Sequence, residues 1–380
     1  MTDLPLPQSP IQADRKPAKQ VRVAIFSDAL PERNGAGAYY QDLVADLGDE
    51  VEQIELFQPL LKPRRLLRLA FPLPGDPTQK LITPNVFRLR GQFQRLRPHV
   101  VVAVTPGPFG LLGLWFARRS GAGFLTGFHT HFEMLVKLYG NTWFMRIAHR
   151  YLEAVNRLLC RNSQAVLVNN SGLIETVSQL GARQVEIMGT PLSPSFIRPS
   201  LISPLPGLDR VLFAGRLAPE KNLGAILEAA EAHPDVVFQL IGEGPERAKI
   251  ETAARRLPNL TLTGWLDREA LREQMDLTSL LLLPSHHETF GTVALEALAR
   301  GRPALVAHNA GIHDWSGLKE ALFTIRSDET LATALTRLRK MPVETWQKRA
   351  AAARQAALDL HQQTIDQWAD VVARYRRSPR

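Results

Sequence analysis

The stretch PSHHETFGTVALEALARGRPALV, residues 284–306, decides the reading of this chain. The apolar run Leu280 to Leu283 precedes it, a polar turn follows, and a helix pattern begins near Gly291. Strand, turn and helix in that order leave the first backbone amides of the helix, those of Phe290, Gly291 and Thr292, without a carbonyl one turn earlier. Aligned peptide dipoles add partial positive charge there, so such an end holds an anion, and a phosphate is the obvious guest. Glu288 lies in the turn before these amides. Glu296 falls about a turn and a half into the helix, so the two carboxylates reach different parts of one ligand. The competing reading makes Glu288 a complement to the helix dipole and Glu296 a solvated helix carboxylate.

Moving outward, VLFAGRLAPEKNLGAILEA, residues 211–229, reads as a second buried strand that delivers Arg216 and Lys221 at its carboxyl end, before the next helix. In an open α/β sheet the carboxyl ends line the ligand crevice, so both cations meet the same space. A guanidinium and an ammonium neutralise a departing diphosphate without a divalent ion, and the chain has no Asp-x-Asp pair that would call for one. The competing reading is a solvated loop.

The rest of the chain extends this pattern in two series. VRVAIFSD, AYYQDLVADL, HVVVAVTP and GLLGLWFARR form the first, and the series that begins after residue 208 forms the second. Short β-branched runs alternating with amphipathic helices predict parallel strands covered on both faces. The expected organisation is a disordered tail at 1–20, a Rossmann-like domain at 21–190, and a proline-rich linker at 191–208. A second Rossmann-like domain at 209–345 and a helix at 346–380 that returns to the first domain complete it. Length 380, 45% apolar residues and 22% charged residues suit a globular protein with a large core. The single Cys160 excludes an internal disulfide and a thiolate zinc site. The apolar stretch 100–117 is broken by Pro106, Gly107, Pro108, Gly110 and Gly113, so it predicts strand, loop and helix and not a membrane span. No secretory core precedes residue 20, and a cytoplasmic location is expected.

GRLAPEKN, IGEGPERAKIE, LTGW and HHETFGTVALEALARGRP, in that order, resemble the nucleotide-sugar half of the retaining glycosyltransferases of family four, whose signature is two glutamates separated by seven residues. The resemblance implies a GT-B architecture, two Rossmann-like domains facing a cleft, the first (21–190) binding the acceptor and the second (209–345) the nucleotide sugar. It implies that Glu288 contacts donor-sugar hydroxyls, Glu296 holds the nucleotide ribose, Arg216 and Lys221 bind the diphosphate, and Gly242, Gly244 and Trp265 lie near the base. It also implies that no metal or other cofactor is needed. For Gly242, Gly244 and the Gly264–Trp265 segment, ordinary strand-end turns are the alternative.

In the first series ERNGAGAYYQDL, residues 32–43, fails as a dinucleotide fingerprint, because Tyr40 stands where a third glycine belongs. The resemblance implies that Gly35, in a glycine loop opening a helix, lets backbone approach the donor phosphate; close packing is the alternative. FLTGFHTHFEMLVKLYG, residues 124–140, places His129 in an F-H-T context similar to that of the cleft histidine of these transferases, against a structural histidine as the alternative. After the signature helix the family commonly shows a Gly-Gly pair, whereas VAHNAGIHDW offers only Gly311, so sugar preference is open.

Net charge is +9, and the segment 56–99 holds nine basic residues and one acid. Within it PRRLLRLAFP reads as a short helix from Pro63 to Pro72 with Arg64, Arg65 and Arg68 on one face, suited to an anionic membrane surface. An ordinary surface helix is the alternative, and nucleic-acid binding lacks a stacking pattern. The expected enzyme is peripheral on the cytoplasmic face of the membrane. It moves a sugar from a UDP- or GDP-linked donor to a lipid such as a diacylglycerol. A soluble sugar or polysaccharide acceptor, or a non-catalytic nucleotide-sugar-binding protein, are the alternatives.

Overall fold

The computed structural model describes residues 18–29, 35–59, 70–73, 76–128, 143–199 and 207–379. Two six-stranded parallel sheets carry the chain. In the first, β1 (Arg22–Phe26), β2 (Gln53–Phe57), β5 (Val100–Ala103), β6 (Gly123–Phe128), β7 (Ala165–Val168) and β8 (Val185–Ile187) stand in the order β2-β1-β5-β6-β7-β8. β3 (Ala70–Leu73) and β4 (Asp76–Ile82) form a separate antiparallel pair. In the second sheet, β9 (Arg210–Ala214), β10 (Val237–Ile241), β11 (Leu260–Gly264), β12 (Leu280–Leu283), β13 (Ala304–Ala307) and β14 (Leu322–Ile325) take the order β11-β10-β9-β12-β13-β14. Each order reverses once, between β1 and β5 and between β9 and β12, and doubly wound sheets bind ligands outside the carboxyl ends at that reversal.

Strand sequences without a polar face explain why both sheets are covered on both sides. Val23, Ile25, Val100 and Val102 enter one core with Trp368 of the C-terminal helix, whereas their neighbours Ala24, Phe26, Val101 and Ala103 enter the opposite one. The second sheet alternates likewise: Leu212, Leu281 and Leu283 face one layer, and Phe213, Leu280 and Leu282 the other. This is the period of two that a pleated strand imposes.

The two domains meet through segments that follow strand carboxyl ends. Asp42, on the helix Gly35–Leu47 after β1, takes a forked contact from Arg268, on the helix Arg268–Asp276 after β11; its Nη2–Oδ2 distance is 2.9 Å. Asn170 Nδ2, after β7, donates to the Thr289 carbonyl after β12 at 2.6 Å, and the Ser171 amide donates to Asp314 Oδ2 at 2.6 Å. Both carboxyl edges therefore face one interdomain cleft.

The helix Val343–Arg374 spans 32 residues, about 48 Å at the rise of an α-helix. Its Ala353 and Ala357 lie in the second domain's core, and its Ile365, Trp368 and Val372 in the first domain's. Where the chain crosses between domains, Gly189 approaches this helix so closely that a Cβ would sit 2.0 Å from Thr364 Oγ1. Trp368 Nε1 donates to Tyr39 Oη, and Tyr39 Oη donates to the Gly189 carbonyl, both at 2.9 Å.

The expected helix over residues 63–72 lies mostly outside the described residues, with Arg64, Arg65 and Arg68. Its end is contradicted: Ala70 to Pro72 belong to β3, where Phe71 pairs with Leu81. An Arg/Leu rhythm satisfies a helix, but the following β4 segment supplies a cross-strand partner that local periodicity does not reveal. Gly35 is the first residue of the helix Gly35–Leu47.

Candidate active site

The site is built at the reversal between β9 and β12. The chain leaves β9 through Gly215 and Arg216 and makes a single tight turn, Pro219–Lys221, before Asn222 in the left-handed region (φ 54°) starts the helix Leu223–Ala232. The segment after β10 props up this loop. The Leu217 amide donates to the Glu243 carbonyl and the Glu246 amide to the Leu217 carbonyl, both at 2.9 Å. Gly242 has φ 144°, and a Cβ on it would lie 1.8 Å from the Gly215 carbonyl oxygen. Gly242 and Gly244 thus answer first to the close approach of two strand ends. Trp265 is half exposed at the end of β11.

Across the reversal, β12 ends at Leu283 and the turn 284–291 carries Glu288. Gly291 takes φ 104°, and the helix Thr292–Ala299 begins with no side chain capping it. Its first internal bonds run from the Ala294 and Leu295 amides to the Gly291 carbonyl, so the amides of residues 290–293 precede the helical ladder. Phe290 is buried beneath the turn and lies edge-on to Trp315 at 6.5 Å between ring centres.

Lys221 and Glu288 meet here. Lys221 Nζ donates to Glu288 Oε2 at 2.6 Å with both side chains largely buried, and Ser285 Oγ donates to the same oxygen at 3.4 Å. Arg216 pairs with Glu220, whose carbonyl accepts the His286 amide at 2.9 Å. The two cations are therefore held by structure and are not a solvated loop. Gly311 closes the back of the site. Its amide donates to the Glu288 carbonyl at 3.0 Å, and a Cβ would be 1.9 Å from the Thr289 carbonyl oxygen.

Glu296 lies in the fifth position of the helix Thr292–Ala299. Burial pushes its carboxyl up to about 8; Arg268 opposes that shift and Asp42 adds to it. A carboxyl raised in this way is a ready partner for neutral hydroxyls. Sequence reasoning missed Ser285, Glu220, Asp42, Arg268 and Asn170; the first two act on neighbours three and four residues away, whereas Asn170 reaches Thr289 and Asp42 meets Arg268 226 residues away. Among the described residues no group of three or more side chains could hold a metal ion. His129 lies outside the described residues.

The family described as "Glycosyl transferases group 1" matches residues 205–357, the domain that carries this site, and "Glycosyltransferase Family 4" matches residues 33–194. The chain belongs to the family four glycosyltransferases of GT-B fold. Sulfoquinovosyl transferase SQD2 of Arabidopsis thaliana is 23% identical over 78% of this chain and 61% of that protein, so the chain spans under two thirds of its length. The GDP-mannose-dependent alpha-(1-6)-phosphatidylinositol dimannoside mannosyltransferase of Mycobacterium tuberculosis is 26% identical over 70% of the chain and 74% of its own. The solved sucrose-phosphate synthase of Thermosynechococcus elongatus shares the fold with a TM-score of 0.69 at 16% identity, covering 92% of this chain and 97% of that one.

Proposed function

We propose that this chain transfers a sugar from a UDP- or GDP-linked donor to an acceptor hydroxyl, with retention at the anomeric carbon and without a metal, and that the acceptor belongs to a membrane lipid such as a diacylglycerol. The observation that carries the reading is the Lys221–Glu288 pair at 2.6 Å beside the uncapped helix start at Gly291. The helix amides, Lys221 and Arg216 receive the diphosphate, and Glu288 accepts hydroxyl protons of the donor sugar. Glu296 holds the ribose. His129 is proposed to donate to the sugar or its phosphate.

As the bond from the anomeric carbon to the diphosphate oxygen breaks, the acceptor oxygen bonds to that carbon on the same face, and the acceptor proton passes to the departing diphosphate. Charge grows on the leaving oxygens in this step, and prearranged cations and amides stabilise such charge more than they stabilise the ground state. The mycobacterial relative's name, which contains both GDP-mannose and a phosphatidylinositol dimannoside, supports the donor class and the lipid acceptor. The protein is proposed to work as a peripheral enzyme at the cytoplasmic face. Among the described residues no helix is long and apolar enough to cross a membrane.

Purified protein incubated with UDP- and GDP-sugars, alone and with diacylglycerol-containing micelles or soluble glycans, tests the reading. Donor-dependent labelling of lipid with the donor's anomeric configuration is expected. Labelling of glycans alone overturns the lipid acceptor, and donor binding without hydrolysis or transfer overturns the enzymatic reading.

A further inference from the structure

The helices Val86–Leu96, Pro108–Ser120 and Trp143–Asn162 present a surface that sugar transfer does not use. The crossovers β2 to β5, β5 to β6 and β6 to β7 all step the same way across the sheet, and right-handed connections then place these helices on one face, opposite the C-terminal helix. They are neighbours: Phe93 stacks on Phe116 with ring centres 4.7 Å apart, and Arg118 donates to Asn162. Phe109, Leu114, Val155 and Leu159 share the core beneath.

Their outer surface is apolar and basic at once. Phe87 is 89% exposed, Ile147 54% and Tyr151 49%, with Trp115 and Leu158 also exposed. The three helices contain nine arginines, all exposed, and a single acid, Glu153, which Arg157 engages at 2.7 Å. On the longest helix Arg146, Ile147, Arg150 and Tyr151 recur at helical spacing as one outward stripe.

We propose that this face is where the protein lies on an anionic lipid bilayer. A second copy of the chain is disfavoured, because two such faces would oppose arginine to arginine. An anionic bilayer satisfies both components: guanidinium groups reach the headgroup phosphates while aromatic and aliphatic side chains enter the acyl boundary. Val86, Phe87, Arg146 and Ile147 stand in the first turns of their helices, the ends at the sheet's carboxyl edge. The bilayer therefore meets the protein on the cleft side of the first domain. The proposal rests on the membrane part of the reading above and moves its contact surface from residues 63–72 to three helices.

The test is co-sedimentation of the full chain with vesicles of phosphatidylcholine alone and of phosphatidylcholine mixed with phosphatidylglycerol. Salt-sensitive binding to the mixed vesicles only is expected. Replacing Arg88, Arg90, Arg146 and Arg150 together by Glu should weaken it by at least about tenfold, from the attraction of each cation to an anionic surface. The same four changed to Lys should keep it, and Phe87→Ser with Ile147→Ser should weaken it at low salt. Circular dichroism checks the fold of each variant, and donor hydrolysis without vesicles should be unchanged. The proposal falls if the wild type ignores mixed vesicles, if the folded Glu variant binds as before, if the Lys variant loses binding, or if RNA binds in place of vesicles. Vesicle binding without lipid glycosylation would leave this surface standing and remove the lipid acceptor.

Discussion

Replacing Lys221 by Met separates a catalytic cation from a structural one. Lys221 Nζ sits 2.6 Å from Glu288 Oε2, with side-chain exposures of 19% and 13%. Methionine keeps the apolar stem and removes the charge, so among the described residues the Glu288 side chain loses its cation and keeps Ser285 at 3.4 Å. Stripping one partner from a fully buried pair costs about 3–5 kcal/mol, and water reaching this half-buried pair lowers the expected loss of stability to about 1–2 kcal/mol. The effect on the reaction is of another size. Removing one prearranged charge-stabilising group typically lowers kcat by about 10²–10³-fold. The assay compares single-turnover and steady-state transfer from the donor identified in the panel with thermal melts of the same preparations. A large fall in kcat with a small fall in Tm is expected. A variant that melts early yet turns over at nearly the wild-type rate would refute the reasoning and leave Lys221 a brace for Glu288.

Glu296→Gln should change stability in a pH-dependent way. The folded carboxyl sits at about 8, above its ordinary value of 4.5, so its stabilising effect is present below pH 4.5 and is lost as pH rises through about 8. Chemical denaturation should therefore find the Gln variant matching the wild type near pH 4.5 and more stable by on the order of 4 kcal/mol at pH 8, while donor affinity falls by about tenfold because one carboxyl oxygen is replaced by an amide donor. Arg300→Ala should destabilise through a buried network at the C-terminal end of the helix that carries Glu296. Arg300 is almost fully buried, holds both Asp276 oxygens at 2.8 Å and donates to the carbonyls of Phe196 and Arg198, so a loss of about 3–5 kcal/mol in urea melts is expected.

What could be read from sequence was what is local. The alternation of buried strand and helix, and the gathering of Lys221 and Glu288 in one crevice at strand carboxyl ends, follow from short segments and from the rule that a doubly wound sheet gathers its carboxyl ends. The glycines show where this runs out. Gly242 and Gly244 looked like ligand contacts, yet their immediate demand is the approach of the 215–217 backbone, which no periodicity reveals. Arg268 and Asp42 carry no local sequence signal, because what makes them a clasp is the docking of one domain on another. At residues 70–72 the expected helix gives way to a strand, because a rhythm of Arg and Leu is compatible with a helix, whereas this strand owes its existence to a partner several residues later.

The same fold occurs twice in the chain, and the two copies differ where a phosphate would go. In the first domain the reversal between β1 and β5 also ends at a helix start, that of Pro108–Ser120. There the chain supplies its own guest. Asp28 Oδ1 accepts the Phe109 amide at 2.9 Å and Oδ2 accepts the Thr105 hydroxyl at 2.6 Å. Residue 107 must be glycine, because a Cβ would come within 2.5 Å of that carboxylate. Burial raises the Asp28 carboxyl, and the bonds from Phe109 and Thr105 work against that rise. Neutral or ionised, it fills the space that the helix amides would offer a ligand. In the second domain the equivalent helix starts at Gly291 with no side-chain cap and no acid in its first turn, and Lys221 lies across the turn. A diphosphate entering the cleft thus finds one helix end occupied by a carboxyl group and the other open beside a cation. Under the proposed function, that asymmetry favours the donor in the second domain and leaves the first to shape the acceptor side of the cleft.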